Sequence, residues 1–352
     1  MKLIKPFIFL FFGIVFCLFL VCCNNPDNQN KSTTKDTIIA KTDDKVTIKI
    51  QRFDQDLVAL EKDTSLNTLH LLRKKYGTFL DTIFCKQIMR LWTPMDENLV
   101  RNLKDYLTDR DIKHIYDIVN TRFKNVDDIE KGFNEAFTNY HKLFPGKVIP
   151  KVYTMVNALN YSAIAADSLI AIGLELFLGS DCEIYPQLQF PIYKTRKLRR
   201  EYIVRDAMEE WIKSDYDDSK VKKDLISQMI YNGKILYALD LILPDADDTL
   251  KMGFTKDQLE WCKLSEGSIW TFFVEKKLLF STDELIYNPF INDGPTTKGM
   301  PKESPANVGC WVGWQIVRKY MKEHPDINLK QLLEDNDCRK ILDGAKYKPA
   351  VS

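Results

Sequence analysis

The stretch KKDLISQMIYNGKILYALDLIL, residues 222–243, decides the fold class. Its apolar side chains recur at helical spacing over a wide face, which predicts a long helix buried in a core. Gly233 interrupts this pattern at a cost of about 1 kcal/mol relative to alanine. We therefore expect the backbone of another element to approach the helix closely at Gly233. The apolar face comprises Leu225, Ile226, Met229, Ile230, Leu236 and Leu239.

A second predicted helix shows a similar sign of close packing. It is predicted within SPANVGCWVGWQIVRKYM, residues 304–321, with Ser304 as N-cap and a proline at the first helical position. Gly309 and Gly313 are four residues apart, a spacing that lets helix backbones approach closely in membranes. Arg318 follows too soon for a membrane span, so we expect this helix to pack on another core helix.

Helical patterns dominate the rest of the folded region. Ser65 and Asn125 are predicted N-caps, and Thr255 with Gln258 matches a capping box. The predicted helices cover residues 53–61, 65–75, 79–92, 97–107, 109–120, 126–143, 202–215, 268–280 and 329–334, with a further helix opening at the capping box.

A few strand patterns interrupt the helices. Residues 45–52 alternate apolar and polar side chains, residues 148–156 form a second apolar stretch, and a hairpin follows with its turn near Asp167 and a strand over residues 169–177. The sequence thus predicts a mainly helical α+β fold, in which helices pack a small sheet of three to four strands. Its length suits one large domain or two small ones, and we predict a single globular domain over residues 46–345.

The N-terminus has the features of an export signal. Lys2 and Lys5 precede residues 6–23, which carry no charge. That length is borderline for a bilayer span and also suits a signal peptide. The sequence LVCC resembles a bacterial lipobox, and Cys23 is the better acceptor because the small residue Cys22 precedes it. An uncleaved helix with incidental cysteines is the alternative.

Residues 1–22 are therefore predicted to be a lipoprotein signal peptide, with Cys23 as the site of lipid attachment. Acyl chains on this residue would hold the protein at a membrane, since each buried methylene contributes about 0.8 kcal/mol. Residues 23–45 are polar and lack aromatics, which predicts a flexible tether spanning about 25 Å. The expected location is the bacterial cell envelope, with the folded body facing the periplasm.

Charge and cysteine content narrow the possible partners. Without Lys2 and Lys5 the net charge falls from +1 to −1, which gives no support for nucleic-acid binding. Beyond Cys23 an odd number of cysteines remains, and none forms a CxxC pair. Buried free thiols are favoured slightly over disulfides. These cysteines are Cys85, Cys182, Cys262, Cys310 and Cys338.

No catalytic or cofactor motif is evident. Zinc hydrolases place two histidines three or four residues apart on one helix, whereas His70, His114, His141 and His324 are widely separated. The sequence contains no GxSxG, GxGxxG or P-loop pattern. We therefore expect neither a metal nor an organic cofactor.

A basic stretch is the strongest local charge feature. Its cations could bind an anionic partner, or they could form a solvated face beside the acids of residues 206–218, which is the favoured interpretation. The basic residues are Lys194, Arg196, Lys197, Arg199 and Arg200.

Several long segments together resemble the gliding-motility lipoprotein GldB family. They include RREYIVRDAMEEW, QMIYNGKILYALDLILP, LEWCKLSEGSIWTFFVEKKLLFSTD, ESPANVGCWVGWQIVRKYM and AKYKPA, in this order. The resemblance implies a role in the envelope machinery of gliding, with other motility proteins as partners.

The same resemblance implies a distant likeness to zincin-type peptidase domains, and hence a degenerate zincin-like fold. Asp206, Ala207 and Glu210 stand where a His-Glu-x-x-His motif would lie. Asn232 stands before Gly233, where the family usually has Glu. The resemblance thus implies an inherited fold without metal ligands.

The expected function is a non-catalytic, lipid-anchored envelope protein that supports assembly or stability of the gliding machinery. One alternative is a metallopeptidase with atypical ligands such as Asp206 and Glu210. Another is a module that uses residues 194–200 to bind peptidoglycan or lipid headgroups.

Overall fold

A mixed four-stranded sheet lies within residues 45–350, the part of the chain that the structure, a computed structural model, describes. The strands are β1 (Ile50–Arg52), β2 (Lys151–Met155), β3 (Ala163–Ala166) and β4 (Leu169–Gly173). Their order in the sheet is β1-β2-β4-β3. β2 pairs in parallel with β1 and β4, whereas β3 and β4 form an antiparallel hairpin. The predicted small sheet is confirmed.

Helices fill the chain between β1 and β2. They are α1 (Phe53–Leu57), α2 (Ala59–Lys62), α3 (Leu66–Tyr76), α4 (Asp96–Thr108), α5 (Arg110–Arg122) and α6 (Asp127–Leu143), with a π-helix (Phe79–Ile88) between α3 and α4. The N-cap prediction for Ser65 is confirmed, since its side chain accepts the Thr68 N–H. Asn125 lies one position before the N-cap of α6. Its Oδ1 accepts the N–H of Asp127, in the first turn of α6, at 2.6 Å.

The π-helix differs from the predicted α-helix over residues 79–92. Its wider turn brings the Met89 N–H to the Phe84 carbonyl, five residues earlier, at 2.8 Å. The helix ends at Ile88, and Arg90 follows with a positive φ of 56°. The chain therefore leaves the helix earlier than residue 92, the predicted end.

The chain before β1 is extended but bonds to a helix rather than to a strand. Alternate backbone N–H groups donate to side chains that are four residues apart on α6. These bonds join Val46 N to Thr138 Oγ1 (3.0 Å), Ile48 N to Asn134 Oδ1 (2.5 Å) and Ile50 N to Glu130 Oε1 (2.9 Å). The strand predicted over residues 45–52 is thus paired in the sheet only at Ile50–Arg52.

Helices also make up most of the chain after the hairpin. They are α7 (Ile184–Gln187), α8 (Ile192–Thr195), α9 (Tyr202–Asp215), α10 (Leu225–Ile242), α11 (Asp248–Met252), α12 (Lys256–Leu264), α13 (Glu266–Glu275), α14 (Glu284–Ile291), α15 (Val308–Glu323), α16 (Leu329–Glu334) and α17 (Cys338–Ala345). The capping box that opens α12 is confirmed in both directions, with Thr255 and Gln258 each accepting the other's backbone N–H at 3.1 Å.

The crossing of α10 and α15 confirms the close packing that was predicted for each of these two helices. A Cβ atom on Gly313 would clash with the backbone carbonyl of Met229, and one on Gly233 would clash with the backbone carbonyl of Gly313. Most side chains of both helices are buried around this crossing. The two glycines therefore let the helix backbones touch, and the resulting packing offsets the cost of glycine inside a helix.

Two predicted boundaries are wrong because distant contacts override local signals. The last long helix starts at Val308, not after Ser304, because Ser304 Oγ accepts the Thr297 N–H at 3.3 Å instead. The last strand of the hairpin ends at Gly173 rather than at residue 177. A 3₁₀ turn, Leu174–Leu176, follows and directs the Glu175 side chain into the interior.

The five cysteines of the described region are free thiols and all are buried, as favoured from the sequence. Among residues 45–350, no helix combines the length and the apolar character that a membrane crossing requires.

Candidate functional site: the charged face of helix α9

The residues that the resemblance places at a metal motif lie on α9 and α10, which pack against each other. Asp206 and Glu210 are one turn apart on α9, with side chains 25% and 44% exposed. Ala207 is fully buried in the core. Asn232 is partly buried, and its Nδ2 donates to the Gln228 carbonyl of its own helix at 2.8 Å. The acidic positions thus face a partly open surface, whereas Asn232 bonds within α10.

A ladder of opposite charges runs along α9 beside these acids. Arg205 forms ion pairs with Asp206 (2.9 Å) and with Glu209, one turn later. Lys213, a further turn along, approaches Glu209 at 2.7 Å and Glu210 at 3.8 Å. Arg205, Glu209 and Lys213 therefore alternate in sign at a spacing of four residues, which stabilises a helix. The five side chains together carry two positive and three negative formal charges.

Burial and neighbouring charge act in opposite directions on these groups. Burial raises the pKa values of Asp206 and Glu210. Burial would also raise the pKa of Glu209, but Arg205 and Lys213 outweigh it and lower that pKa to about 2. Glu209 is thus a fixed anion between two cations.

The donor set on α9 does not suit a metal ion. Arg205 and Lys213 occupy the positions beside the carboxylates where a cation would bind. The position of Ala207 supplies no ligand, and within residues 45–350 no three His, Cys, Asp or Glu side chains are grouped in a way that could hold a metal. Zinc also prefers nitrogen and sulfur ligands, which α9 lacks. The arrangement is that of a structural ion-pair network.

The basic stretch ahead of α9 is largely paired with acids from other parts of the chain. These are not the acids of residues 206–218 that the sequence suggested as its neighbours. The pairs are Lys197 with Asp293 (2.7 Å), Arg199 with Glu201 (3.1 Å) and Arg200 with Asp128 (2.7 Å). Arg196 instead donates to the Gly253 carbonyl at 3.0 Å, and Lys194 is exposed.

A second ion-pair network escaped the sequence reasoning. Asp240 on α10 accepts hydrogen bonds from Trp314 Nε1 (2.9 Å), Arg318 (2.7 Å) and Lys251 Nζ (3.0 Å). Arg318 also contacts Asp248 at 2.8 Å. The network joins α10, α11 and α15. The sequence signal that could have revealed this network was an aspartate inside a largely apolar helix, because a charge in such a position usually has a partner.

The proposed attachment site at Cys23 lies outside the described residues, as do the predicted signal peptide and most of the tether.

The chain is a mainly helical α+β protein. The carboxylates on its helix α9 are paired with arginine and lysine. The family model described as gliding motility protein GldB matches residues 33–349. The chain therefore belongs to the GldB family of gliding-motility lipoproteins.

No curated protein and no solved structure gives a significant match to the chain. The zincin likeness therefore stays a prediction. Family membership associates the chain with gliding motility. It also indicates that the chain is a membrane-anchored lipoprotein of the cell envelope.

Proposed function

We propose that the protein supports the gliding machinery without catalysis, through contacts that assemble or stabilise other envelope proteins. The pairing on α9 supports this proposal most directly. Glu209 lies between Arg205 and Lys213, and Asp206 contacts Arg205, so these carboxylates are held by the protein's own cations. A general base or metal ligand needs a carboxylate that is available to the substrate or the ion.

The second part of the proposal concerns the anchor. Signal peptidase action after residue 22 would leave Cys23 at the N-terminus, carrying acyl chains. Two or more chains hold a protein stably at a membrane, which a single chain does not. Residues 23–45 would then connect the anchor to the body on the periplasmic side, and residues 46–345 would act as one domain that contacts the motility apparatus.

Complementation of a gene deletion tests the proposal. Deletion is expected to abolish or strongly reduce spreading. Glu210→Gln and Asp206→Asn proteins are expected to restore it fully, because neither carboxylate takes part in a reaction. Cys23→Ala protein is expected to leave the membrane fraction and to fail in complementation.

Two results would contradict the proposal. One is a Glu210→Gln protein that is folded and membrane-bound yet inactive in spreading. The other is a stoichiometric metal in protein extracted from cells that is lost in the Asp206→Asn variant, which would support the metallopeptidase alternative.

A further inference from the structure

The segment between the hairpin and α9 carries an exposed apolar tip. Residues 184–193, IYPQLQFPIY, contain no charged side chain. Within them Leu188 is 51% exposed and Ile192 is 87% exposed. Ile192 opens the short helix α8, and Leu188 lies just after α7. Side chains of this size at such exposure would gain free energy if they were removed from water.

Cations without acidic partners follow the apolar tip. Lys194 is exposed and forms no ion pair with any residue of the described range. Arg196 donates to the Gly253 carbonyl, while its Nε has no partner among the described residues. The next three cations are each paired with a carboxylate. The excess positive charge is therefore concentrated at Lys194 and Arg196, directly beside the apolar tip.

The end of the basic stretch, at Arg200, lies near the point where the described chain begins. A groove of about 830 Å³ is lined by Lys45, where the described chain begins, and by Arg200, at the end of the basic stretch. The polypeptide from the N-terminus thus enters the folded body beside the basic stretch. The proposed anchor at Cys23 precedes this entry point in the chain, so it would bring the body to a membrane.

We propose that Leu188 and Ile192 insert into the interfacial region of an anionic lipid bilayer while Lys194 and Arg196 contact its headgroups. Apolar side chains flanked by unpaired cations have this complementarity, because each basic residue near an anionic surface contributes about 1 kcal/mol. The inference rests on the proposed anchor, which would place the body at a membrane. The loop would orient the body on the bilayer and limit its motion about the tether.

Site-specific fluorescence tests the proposal on the full mature protein. Ile192→Cys offers an exposed thiol for an environment-sensitive dye, because the five cysteines of the described region are buried. Leu71→Cys is the matched control, an exposed leucine (59%) on α3. Each labelled protein is reconstituted in phosphatidylcholine vesicles with and without phosphatidylglycerol, and quenching by brominated lipid is measured.

Quenching at position 192 but not at position 71, enhanced by phosphatidylglycerol, is the expected result. Lys194→Gln is expected to lower the equilibrium constant for insertion about fivefold, in line with a contribution of about 1 kcal/mol per basic residue. Lys302→Gln, at another exposed position, should have no effect. Equal weak quenching at both positions would overturn lipid as the occupant and point to a protein partner. Quenching at position 192 that ignores phosphatidylglycerol would overturn the role of the cations.

The number of dyes per chain separates this test from the test of the anchor. One dye means that the Cys23 thiol is blocked, whereas two mean that it is bare and that the anchor proposal fails. The comparison of positions 192 and 71 still decides the loop in the second case, because both proteins would carry the same additional dye.

Discussion

Glu175 is a carboxylate in the interior of the protein. It is fully buried, and its Oε1 accepts the N–H groups of Asn157 (2.5 Å) and Leu159 (3.0 Å). Its Oε2 has no partner among the described residues. Burial raises the pKa of Glu175 from 4.5 to about 7, although the two N–H donors act against this shift.

A dependence of stability on pH follows from Glu175. The folded state binds the proton more tightly than the unfolded state, so this group favours folding below pH 4.5. This contribution to the free energy of unfolding, about 3 kcal/mol in total, is lost as the pH rises towards 7. We expect Glu175→Gln to remove this loss. Between pH 4.5 and about 7, the free energy of unfolding of the variant should therefore rise relative to that of the native protein. Denaturant unfolding across that pH range measures the effect.

The control for this prediction is Glu303→Gln, at an exposed position. It should keep the native pH dependence. The same slope in the Glu175→Gln variant and in the native protein would show that Glu175 does not titrate in this range.

The role of Glu175 was not predicted from the sequence. The strand pattern continued to residue 177, and a glutamate in such a pattern is expected to face solvent. Its actual position depends on the loop that starts at Asn157, whose contact with residue 175 is tertiary. Asp206 and Glu210 were singled out by the family resemblance. Their pairing with Arg205 and Lys213 is local, at a spacing of one to four residues on α9, and could have been predicted from the sequence.

For the individual helices and strands, predictions from the sequence were most accurate where they depended on residues close together in the chain. The capping box of α12 and the glycines of α10 and α15 behave as predicted, because capping and close helix packing depend on residues at fixed spacing. The π-helix and the start of α15 were missed. The hydrophobic pattern does not distinguish a π-helix from an α-helix, and the loop before α15 is fixed by Thr297, which bonds Ser304 and Pro305.

The α10–α15 crossing gives the sharpest test of the packing. Gly313→Ala is expected to destabilise the protein by about 3 kcal/mol or more, because the added methyl would overlap a backbone carbonyl that cannot move freely. Gly294→Ala is the matched control, since its added Cβ would lie 3.6 Å from the nearest heavy atom, Ala306 Cβ. Denaturant unfolding compares the two variants. A Gly313→Ala protein as stable as the control would refute the close contact.

At the scale of the whole molecule, the α+β class and the GldB family were both predicted from the sequence. Long motifs in a fixed order indicated the family. The partly buried ion-pair network around Asp240 became visible only in the structure, as did the distinction between paired and unpaired cations in residues 194–200. Such pairings join residues far apart in the chain, such as Arg200 with Asp128.

The central claim is that a lipid on Cys23 holds this folded body at the envelope membrane. Mass spectrometry of the N-terminal peptide of protein isolated from cells tests it most directly. The account predicts a peptide that begins at Cys23 and carries the added mass of acyl chains on its sulfur and amino groups. A peptide with an unmodified Cys23 thiol, or one that still contains residues 1–22, would contradict it.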